Sequence, residues 1–554
     1  MLDHMAVCIC CVGLLLPLSS CGGGGNSSTP NTAIPLEVVS TVPADNAATV
    51  PLDNSIGMTF SAEIDSLTVN GSTVGLFSAA EDIPVTVSIS GNAVTINPAG
   101  KLCLQSKYTA MAKAGIKDRD GNALATDFSW SFTTRDGTWG SPARVDNATG
   151  VIESPRIAVN RDGIAVAVWA ERVGVASNQQ IWVNRYVPEI GWEGPRRIEL
   201  DDLSDNSPAQ IGVGIDEAGN AIAVWTQWAG SLRLWTNRYV VGTGWQTAEL
   251  LEQDSKPAMN PQLAMDPQGN ALVTWLRWDF AQPDNSVILF RRYEAGTGWG
   301  SIQTLVASGR PNYAPISMDD AGNAIALWEQ WDGTRYDVWA ARYSVDSGWG
   351  TPQRIESSDG TALAPSIAMD RQGNGMATWQ QSDGVRNHIW AARYAIGSGW
   401  GTAQRVDTND ALECNYPMVA VGENGNTIIG WRAYNGMDMY TTRTWANTYA
   451  QGSGWGTPKM LSSDNVLSDQ PRVGMDSNGN ALAVWRQWDA TGINLWSNRF
   501  GTDIGWGSSQ LTEMIPDNTW LSPALAVHSC GSALVVWPQG DSVSADSVWT
   551  ARFE

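Results

Sequence analysis

The chain has 554 residues and a formal net charge of −22, from 34 basic and 56 acidic residues. An acidic balance of this size, with no basic stripe to offset it, excludes a nucleic-acid partner, because phosphate backbones would be repelled. The length suffices for one small domain and one large domain, each with its own core.

The N-terminal segment contains a short apolar run, AVCICCVGLLLPLSS, that ends at Cys21. The run is too short for a transmembrane helix. The box Leu18-Ser19-Ser20-Cys21 resembles that of bacterial lipoprotein signal peptides. The resemblance implies a signal peptide at 1–20, lipidation of Cys21, and a flexible Gly-rich tether at 21–35. It predicts a lipid-anchored protein of the cell envelope, and Gly22 favours the outer membrane or cell surface.

Residues 36–134 form a second segment without the periodicity seen later in the chain. They contain VPADNAATVPLDNSI, TFSAEID, YTAMAKAGIKD and WSFTT. These motifs resemble the bacterial Ig-like domain of S-layer and other surface proteins. The resemblance implies a β-sandwich that serves as a spacer or an adhesive module.

From residue 138 onward the chain repeats with a period of about 52 residues, marked by two series of tryptophans. A fixed period of this size is typical of supersecondary units that bury their faces on one another. The first series is Trp139, Trp192, Trp245, Trp299, Trp349, Trp400, Trp455 and Trp506. The second series is Trp169, Trp225, Trp275, Trp328, Trp379, Trp431, Trp485 and Trp537.

One repeat reads as four short strands joined by tight turns. In the fifth repeat these are strand A (365–370, PSIAMD), strand B (375–381, GMATWQQ), strand C (388–394, HIWAARY) and strand D (401–406, GTAQRV). Alternating apolar and polar residues predict half-buried strands, and Gly and Asn favour the turns between them. No helical period is evident from residue 139 to the end.

The repeats predict an all-β fold: an Ig-like sandwich followed by a closed eight-bladed β-propeller at 138–554. The repeat region opens with a D strand at 138–146 and ends with a C strand at 547–554. Pairing these two segments would close the ring and remove unpaired edges. The outer strand that closes the propeller therefore comes from its N-terminal end.

Two features recur too regularly to mark one active site. A DxxGN turn follows strand A in five repeats, with departures in repeats 1, 6 and 8. An arginine is assigned to every C strand, and we interpret these arginines as structural, paired with the turn Asp or with carbonyl groups. They are Arg185, Arg238, Arg292, Arg342, Arg393, Arg443, Arg499 and Arg552.

Candidate ligand-binding residues are aromatic side chains on the face that carries the B–C and D–A loops. Exposed rings there could stack on sugars or anchor a protein, and the alternative is that they pack between blades. Five follow the B-strand tryptophan by three positions and three precede strand A. The eight are Trp228, Trp278, Trp331, Tyr434, Trp488, Tyr313, Tyr416 and Trp520.

The sequence favours a non-enzymatic binding or scaffold lipoprotein whose partner is a cell-envelope protein or a glycan. The alternative is a carbohydrate-active enzyme of sialidase or glycosidase type, whose two carboxylates the spacing does not identify. A quinone-cofactor propeller is disfavoured, since its docking motif and Cys pair are absent from residues 21–554. Only three His are present. We predict no metal site and no cofactor, and leave any catalytic residues unassigned.

The cysteines outside the predicted signal segment and Cys21 are Cys103, Cys414 and Cys530. Their odd number and wide spacing predict no disulfide framework. Cys414 and Cys530 are expected on opposite faces of the ring, which argues against a bond between them.

Overall fold

The structure of the chain is a computed structural model that describes residues 35–78, 82–173, 178–200, 210–252, 254–356, 358–435, 441–463, 466–489, 492–514, 522–542 and 545–554. The predicted signal peptide, Cys21 and all but the last residue of the tether lie outside these ranges. Within them the fold is all-β, and its helical elements are two 3₁₀ turns, Ser66–Thr68 and Pro283–Asn285. No helix in these ranges has the length and apolar character needed to cross a bilayer.

The N-terminal module is a sandwich of two sheets. Its strands are β1 (Val38–Val42), β2 (Ala47–Val50), β3 (Ile56–Phe60), β4 (Val74–Ser78), β5 (Asp82–Ile83), β6 (Val85–Ser90), β7 (Ala93–Pro98), β8 (Lys107–Ala112) and β9 (Phe128–Thr134). One sheet has the order β1-β3-β7-β6 and the other β2-β9-β8-β4-β5. Alternate residues of β3 and β8 are buried, so each sheet presents one apolar face to a shared core around Phe60, Tyr108 and Trp130.

The rest of the described chain forms eight antiparallel sheets, one for each sequence repeat. The A strands are Val151–Val159, Ile211–Ile215, Ala258–Met265, the pair Pro311–Asn312 and Ile316–Met318, Ala362–Met369, Glu413–Val421, Ser468–Met475 and Ala524–Val527. The B strands are Ala165–Val173, Ala221–Trp228, Ala271–Arg277, Ala324–Trp331, Gly375–Ser382, Thr427–Tyr434, Ala481–Asp489 and Ala533–Ser542. The C strands are Asn178–Val187, Leu232–Val240, Val287–Glu294, Tyr336–Ser344, Asn387–Ala395, Arg443–Ala450, Gly492–Gly501 and Ala545–Phe553.

The outer strand departs from the prediction of a single D strand. In seven repeats it consists of two short pieces that both pair with strand C, the first being the Gly-Trp dipeptide itself. The first pieces are Gly191–Trp192, Gly244–Trp245, Gly298–Trp299, Gly348–Trp349, Gly399–Trp400, Gly454–Trp455 and Gly505–Trp506. The second pieces are Arg196–Arg197, Glu249–Leu250, Gln303–Val306, Gln353–Arg354, Gln404–Arg405, Lys459–Met460 and Gln510–Met514. Each tryptophan of the first series packs edge-on against a C-strand aromatic ring, as Trp192 does on Tyr186, and this contact fixes the first piece.

The tryptophan in the middle of each B strand is buried in all eight repeats. It packs against the sheet of the preceding repeat: Trp225, for example, shares a cluster with Val166 and Val168. The same arrangement joins the ends of the region, because Trp169 of repeat 1 packs with Val536 of repeat 8. Burial of a large aromatic side chain between neighbouring repeats explains why the tryptophan recurs at a regular spacing along the chain.

The inner A strands of consecutive repeats contact one another, and the A strand of repeat 8 contacts that of repeat 1. The termini of the region also meet within one sheet. Ala143–Arg144 pairs antiparallel with the last C strand, and Trp139 packs edge-on against Phe553. The segment that precedes repeat 1 therefore supplies the outer strand of repeat 8.

The DxxGN turn is held together by its own side chains. In repeat 3 the buried Asp266 carboxylate accepts hydrogen bonds from the backbone and side-chain N–H groups of Asn270, both at 2.8 Å. Where the sequence departs from the motif, another side chain takes over: the Asn160 amide oxygen accepts in repeat 1 and the His528 ring in repeat 8. The turn is thus structural in each case.

Four of the C-strand arginines connect neighbouring repeats by stacking on an aromatic ring. Arg185 and Arg238 lie over the rings of Tyr239 and Tyr293, each on the next repeat. Arg552 of repeat 8 lies in the same way over Tyr186 of repeat 1.

Arg443 lies on its C strand, as predicted, but at a different register from the other seven arginines. Repeat 6 has Thr448 opposite Ile428, which is the position that Arg393 occupies opposite Met376 in repeat 5. Arg443 instead begins its C strand.

The N-terminal module is fixed to the repeats by a disulfide that the cysteine count did not predict. Cys103 of the module is bonded to Cys530 in the A–B turn of repeat 8. The prediction considered pairs within the ring, whereas the partner lies in the other domain; Cys414 is free and buried. Beside the bond, Leu104 packs into the core shared by repeats 7 and 8, and Asn478 donates a hydrogen bond of 2.8 Å to Ser106 Oγ.

Candidate functional site

The two faces of the repeat region have different surroundings. We call the side with the A–B and C–D turns the turn face and the side with the B–C and D–A loops the loop face. The module contacts described above lie at the turn face, where Lys101 also pairs with Glu189 in a C–D turn at 3.7 Å. The loop face carries the B-strand ends and A-strand starts, where the predicted ligand-binding residues lie.

The aromatic residues at the B-strand ends differ in exposure. Trp228 is 45% exposed. Trp331 is half-buried and its ring is tilted against that of Tyr336, with the ring centres 5.1 Å apart; the Arg310 guanidinium lies 5.7 Å from its ring centre. Trp488 is likewise half-buried beneath Arg486. These rings leave accessible surface for a ligand.

Trp278 and Tyr434 are closer to the alternative prediction, in which the ring packs against neighbouring residues and does not face a ligand. Trp278 is half-buried against Met259 and the core between repeats 3 and 4, and its ring meets Phe280 edge-on. Tyr434 ends its B strand opposite Glu413 and is half-buried.

The three aromatic residues predicted just before strand A differ in where they lie. Tyr416 is 59% exposed, with the Arg432 guanidinium 4.8 Å from its ring centre. Tyr313 lines a cavity between the inner strands. Trp520 lies outside the described residues.

This inner cavity has a volume of about 530 Å³ and opens among the starts of the A strands. Its polar lining includes Arg156, Gln210, Asn260, Tyr313 and Arg472. Among the described residues that line it there is no Asp, Glu, Lys or His.

Two guanidinium groups in the inner cavity have no acidic partner among the described residues. Arg156 donates to the carbonyl oxygen of Pro155 at 2.9 Å, and Arg472 donates to that of Pro523 at 3.1 Å. The Arg156 side chain is exposed and that of Arg472 is half-buried, so both guanidinium groups can be reached from the cavity. Asp469, the acid whose charge acts on Arg472, is already held by Arg486 at 3.0 Å.

The surroundings of the cavity disfavour the charged forms of the two arginines that line it. Burial, followed by repulsion from Arg156, lowers the pKa of Arg472 to about 10. Burial also lowers the pKa of Arg156. The pKa of Tyr313 is raised by burial, and the two arginines oppose that rise, so the phenol is a neutral donor at pH 7.

A backbone irregularity shapes the mouth of the cavity. Ser154, Asn260, Tyr313, Ala364 and Tyr416 all adopt positive φ near the start of strand A. The pairing register shifts there in the strands of Ser154 and Asn260, as in a β-bulge. Bulges redirect side chains, and non-glycine residues with positive φ are costly features that cluster at functional sites.

The arginines were missed because the sequence reasoning concentrated on residues common to all repeats and on aromatic rings. Arg156 and Arg472 each stand four residues before the first residue of the A–B turn, and the other repeats have an uncharged residue at that position. These are Gly212, Gln262, Pro315, Ser366, Met418 and Ala524. A basic residue in two repeats of eight was the signal that could have revealed the site.

The turn-face end of the inner strands contains a separate, smaller cavity of about 280 Å³. Across it, Arg161 of repeat 1 pairs with Asp320 of repeat 4 at 2.5 Å and with Glu217 at 3.2 Å. Arg371 pairs with Glu423 at 2.6 Å. These arginines are neutralised, unlike the pair in the inner cavity. No group of three His, Cys, Asp or Glu in the described ranges is placed to hold a metal ion.

Residues 32–134 match the protein family described as bacterial Ig-like domain, which agrees with the resemblance of the sequence motifs. No curated protein matches the chain in sequence.

Among solved structures, one similar to this chain is a protein of unknown function from Dyadobacter fermentans. It has 11% identity and a TM-score of 0.38, with 76% of this chain and 99% of that chain covered. The BP39L lectin from Burkholderia pseudomallei has 11% identity and a TM-score of 0.45, covering 66% of this chain and 99% of its own. A PL25 ulvan lyase has 14% identity and a TM-score of 0.42, covering 68% and 94%.

Proposed function

We propose that the eight sheets form a closed eight-bladed propeller. Three contacts between the ends of the region support closure: the pairing of Ala143–Arg144 with the last C strand, the packing of Trp169 with Val536, and the stacking of Arg552 on Tyr186. Each reproduces a contact made between neighbouring repeats elsewhere. An open stack would have no reason to repeat them across its ends.

The propeller acts, in this proposal, as a non-enzymatic binding protein through its loop face. The observation that carries it is the position of the Ig-like module, which is bonded through Cys103 and Cys530 to the turn face. The opposite face therefore remains available to a partner. Lipidation of Cys21 would attach the protein to a membrane of the cell envelope and orient that face outward.

The partner we favour is a glycan of the envelope, with an envelope protein as the other possibility. Accessible aromatic faces at Trp228, Trp331, Trp488 and Tyr416 suit stacking against the apolar faces of sugars. The enzymatic alternative requires two carboxylates across a pocket. The described lining of the inner cavity contains no carboxylate, so this alternative has no assigned pair.

A glycan-array screen of the full-length protein in non-ionic detergent tests the proposal. We expect selective binding that is reduced at least tenfold when Trp228, Trp331 and Trp488 are changed together to Ala. A matched control, Trp278→Ala, should lose stability rather than glycan affinity, because that ring packs against the core. A triple variant that folds and binds as the wild type does would refute the role of these rings, and release of reducing ends from a bound glycan would favour the enzyme.

A further inference from the structure

The inner cavity contains two positive charges that the described residues leave without a counter-anion. The hydrogen bonds of Arg156 and Arg472 go to prolyl carbonyl oxygens, and neither guanidinium has a carboxylate within ion-pair distance among these residues. Elsewhere in the repeat region buried arginines are paired, as Arg486 is with Asp469 and Arg499 with Asp476. Unlike these two buried side chains, Arg156 is exposed and Arg472 is half-buried, so both positive charges are accessible to a solute in the cavity.

The repeat architecture does not require these arginines. Arg156 pairs across the sheet with Val168, and Arg472 with Val484. At the same register Ala524 pairs with Val536 and Gly212 with Val224. Because residues without a charged side chain build the same strand pair, a purely structural role for the guanidinium groups is not supported.

Arg156 and Arg472 place two like charges on the lining of one cavity, which disfavours the free protein, and an anion bound between them would remove that penalty. Guanidinium groups form short, charge-assisted hydrogen bonds with planar carboxylates and with tetrahedral oxyanions. Tyr313, which lines the same cavity, adds a neutral O–H donor. The volume of about 530 Å³ lies within the range of small-molecule sites.

Resting on the glycan-binding function proposed above, we propose that the inner cavity binds the acidic group of an anionic oligosaccharide. The carboxylate or sulfate is held between Arg156 and Arg472, with Tyr313 as a further donor. The sugars on either side of the acidic residue extend toward the aromatic rings of the loop face. Acidity is then the feature that selects the ligand, since the chain as a whole carries −22 and repels polyanions elsewhere.

The first experiment needs no variant. The full-length protein in non-ionic detergent is titrated calorimetrically at 0.15 M salt with trigalacturonate and with its methyl ester, which has the same sugars and no charge. A sulfated galactan oligosaccharide and its desulfated form give the same comparison for a sulfate group. Free galacturonate tests whether the acidic sugar alone binds. We expect the acid form to bind at least tenfold more tightly than its uncharged partner in one of the two arms.

The second experiment locates the acidic group. Arg156→Gln and Arg472→Gln should each weaken binding of the acidic ligand about tenfold, in the range of one charge-assisted hydrogen bond. Arg196→Gln removes the same charge from an exposed outer strand and should change nothing. Arg156→Lys, which keeps the charge and loses the planar fork, should give an intermediate loss and provides a second variant if the Gln forms unfold.

The outcomes separate the two proposals. Equal binding of charged and uncharged forms, unchanged in the Gln variants, would overturn the cavity site and leave glycan binding by the aromatic rings intact. Arginine-dependent binding of free galacturonate without binding of any oligosaccharide would support the cavity and overturn the glycan function. If none of the five ligands binds, both the cavity site and the glycan-binding function are overturned.

Discussion

At the scale of single residues, the repeat region uses arginine in two ways. Four of those on the C strands lie over an aromatic ring of the next repeat, as Arg185 does over Tyr239. Those in the inner cavity, Arg156 and Arg472, line the same cavity, and within the described part of the chain their hydrogen bonds go to carbonyl oxygens. The first kind contributes to folding, whereas the second kind is maintained against an electrostatic penalty.

We therefore expect the double variant Arg156→Gln/Arg472→Gln to unfold at a temperature equal to or about 1–2 °C above that of the wild type. The pKa of Arg472 is lowered in the fold, so folding disfavours its charged form, and that penalty is fully present at pH 7. Differential scanning calorimetry at pH 7 measures the change. Arg185→Gln, which loses a stacked contact, should move the transition downward, and a comparable drop in the double variant would show that the cavity arginines are structural.

The residue scale is also where sequence reasoning fell short. Periodicity reports what every repeat needs for packing, and it correctly identified the buried tryptophans such as Trp225 and Trp485. A ligand site lies where the repeats differ, and one sequence alone does not distinguish a functional departure from drift. Tyr313 was singled out as an aromatic ring, but its place in one cavity with Arg156 and Arg472, which have no acidic partner in the described ranges, depends on strands far apart in the chain.

At the scale of elements, the sandwich and the repeats are connected by a bond between a loop of the module and the A–B turn of repeat 8. Cys103 and Cys530 are 427 residues apart in sequence. Such a long-range pairing is invisible to cysteine spacing, which explains why it was not predicted. Leu104 and Asn478 add an apolar and a polar contact at the same junction.

Reduction of this disulfide should loosen the module without unfolding the repeats. We expect trypsin to cleave at Arg135, in the connection between the two parts, several-fold faster in dithiothreitol than in buffer. Asp136, which follows Arg135, pairs with Arg499 of repeat 7 at 3.4 Å, and this contact holds the connection while the module is docked. In a Cys103→Ser/Cys530→Ser variant the reductant should have no further effect, and equal cleavage rates of the wild type in both conditions would contradict a clamping role.

At the scale of the whole molecule, closure predicts that the ends of the repeat region behave like its middle. Trp139, before the first repeat, packs on Phe553 at the last, just as Trp299 packs on Tyr293 within repeat 3. In an open array the terminal contact would contribute little to the cooperative transition, because end units fray.

We expect Trp139→Ala and Trp299→Ala to destabilise the protein alike, each by about 2–3 kcal/mol, below the range for a fully buried tryptophan because both rings are half-buried. Urea unfolding followed by tryptophan fluorescence gives the comparison, with the module intact in both variants. A loss confined to Trp299→Ala would point to an open stack of sheets.

The ion pair between Arg161 and Asp320 crosses the turn-face end of the inner strands, beside the docked module. In the closed ring proposed above, this pair obstructs the axial path at the turn face. A ligand held by the two arginines then enters and leaves at the loop face, and the rim of that face must accommodate the sugars on both sides of its acidic residue. Its dissociation rate therefore depends on the rim of the loop face.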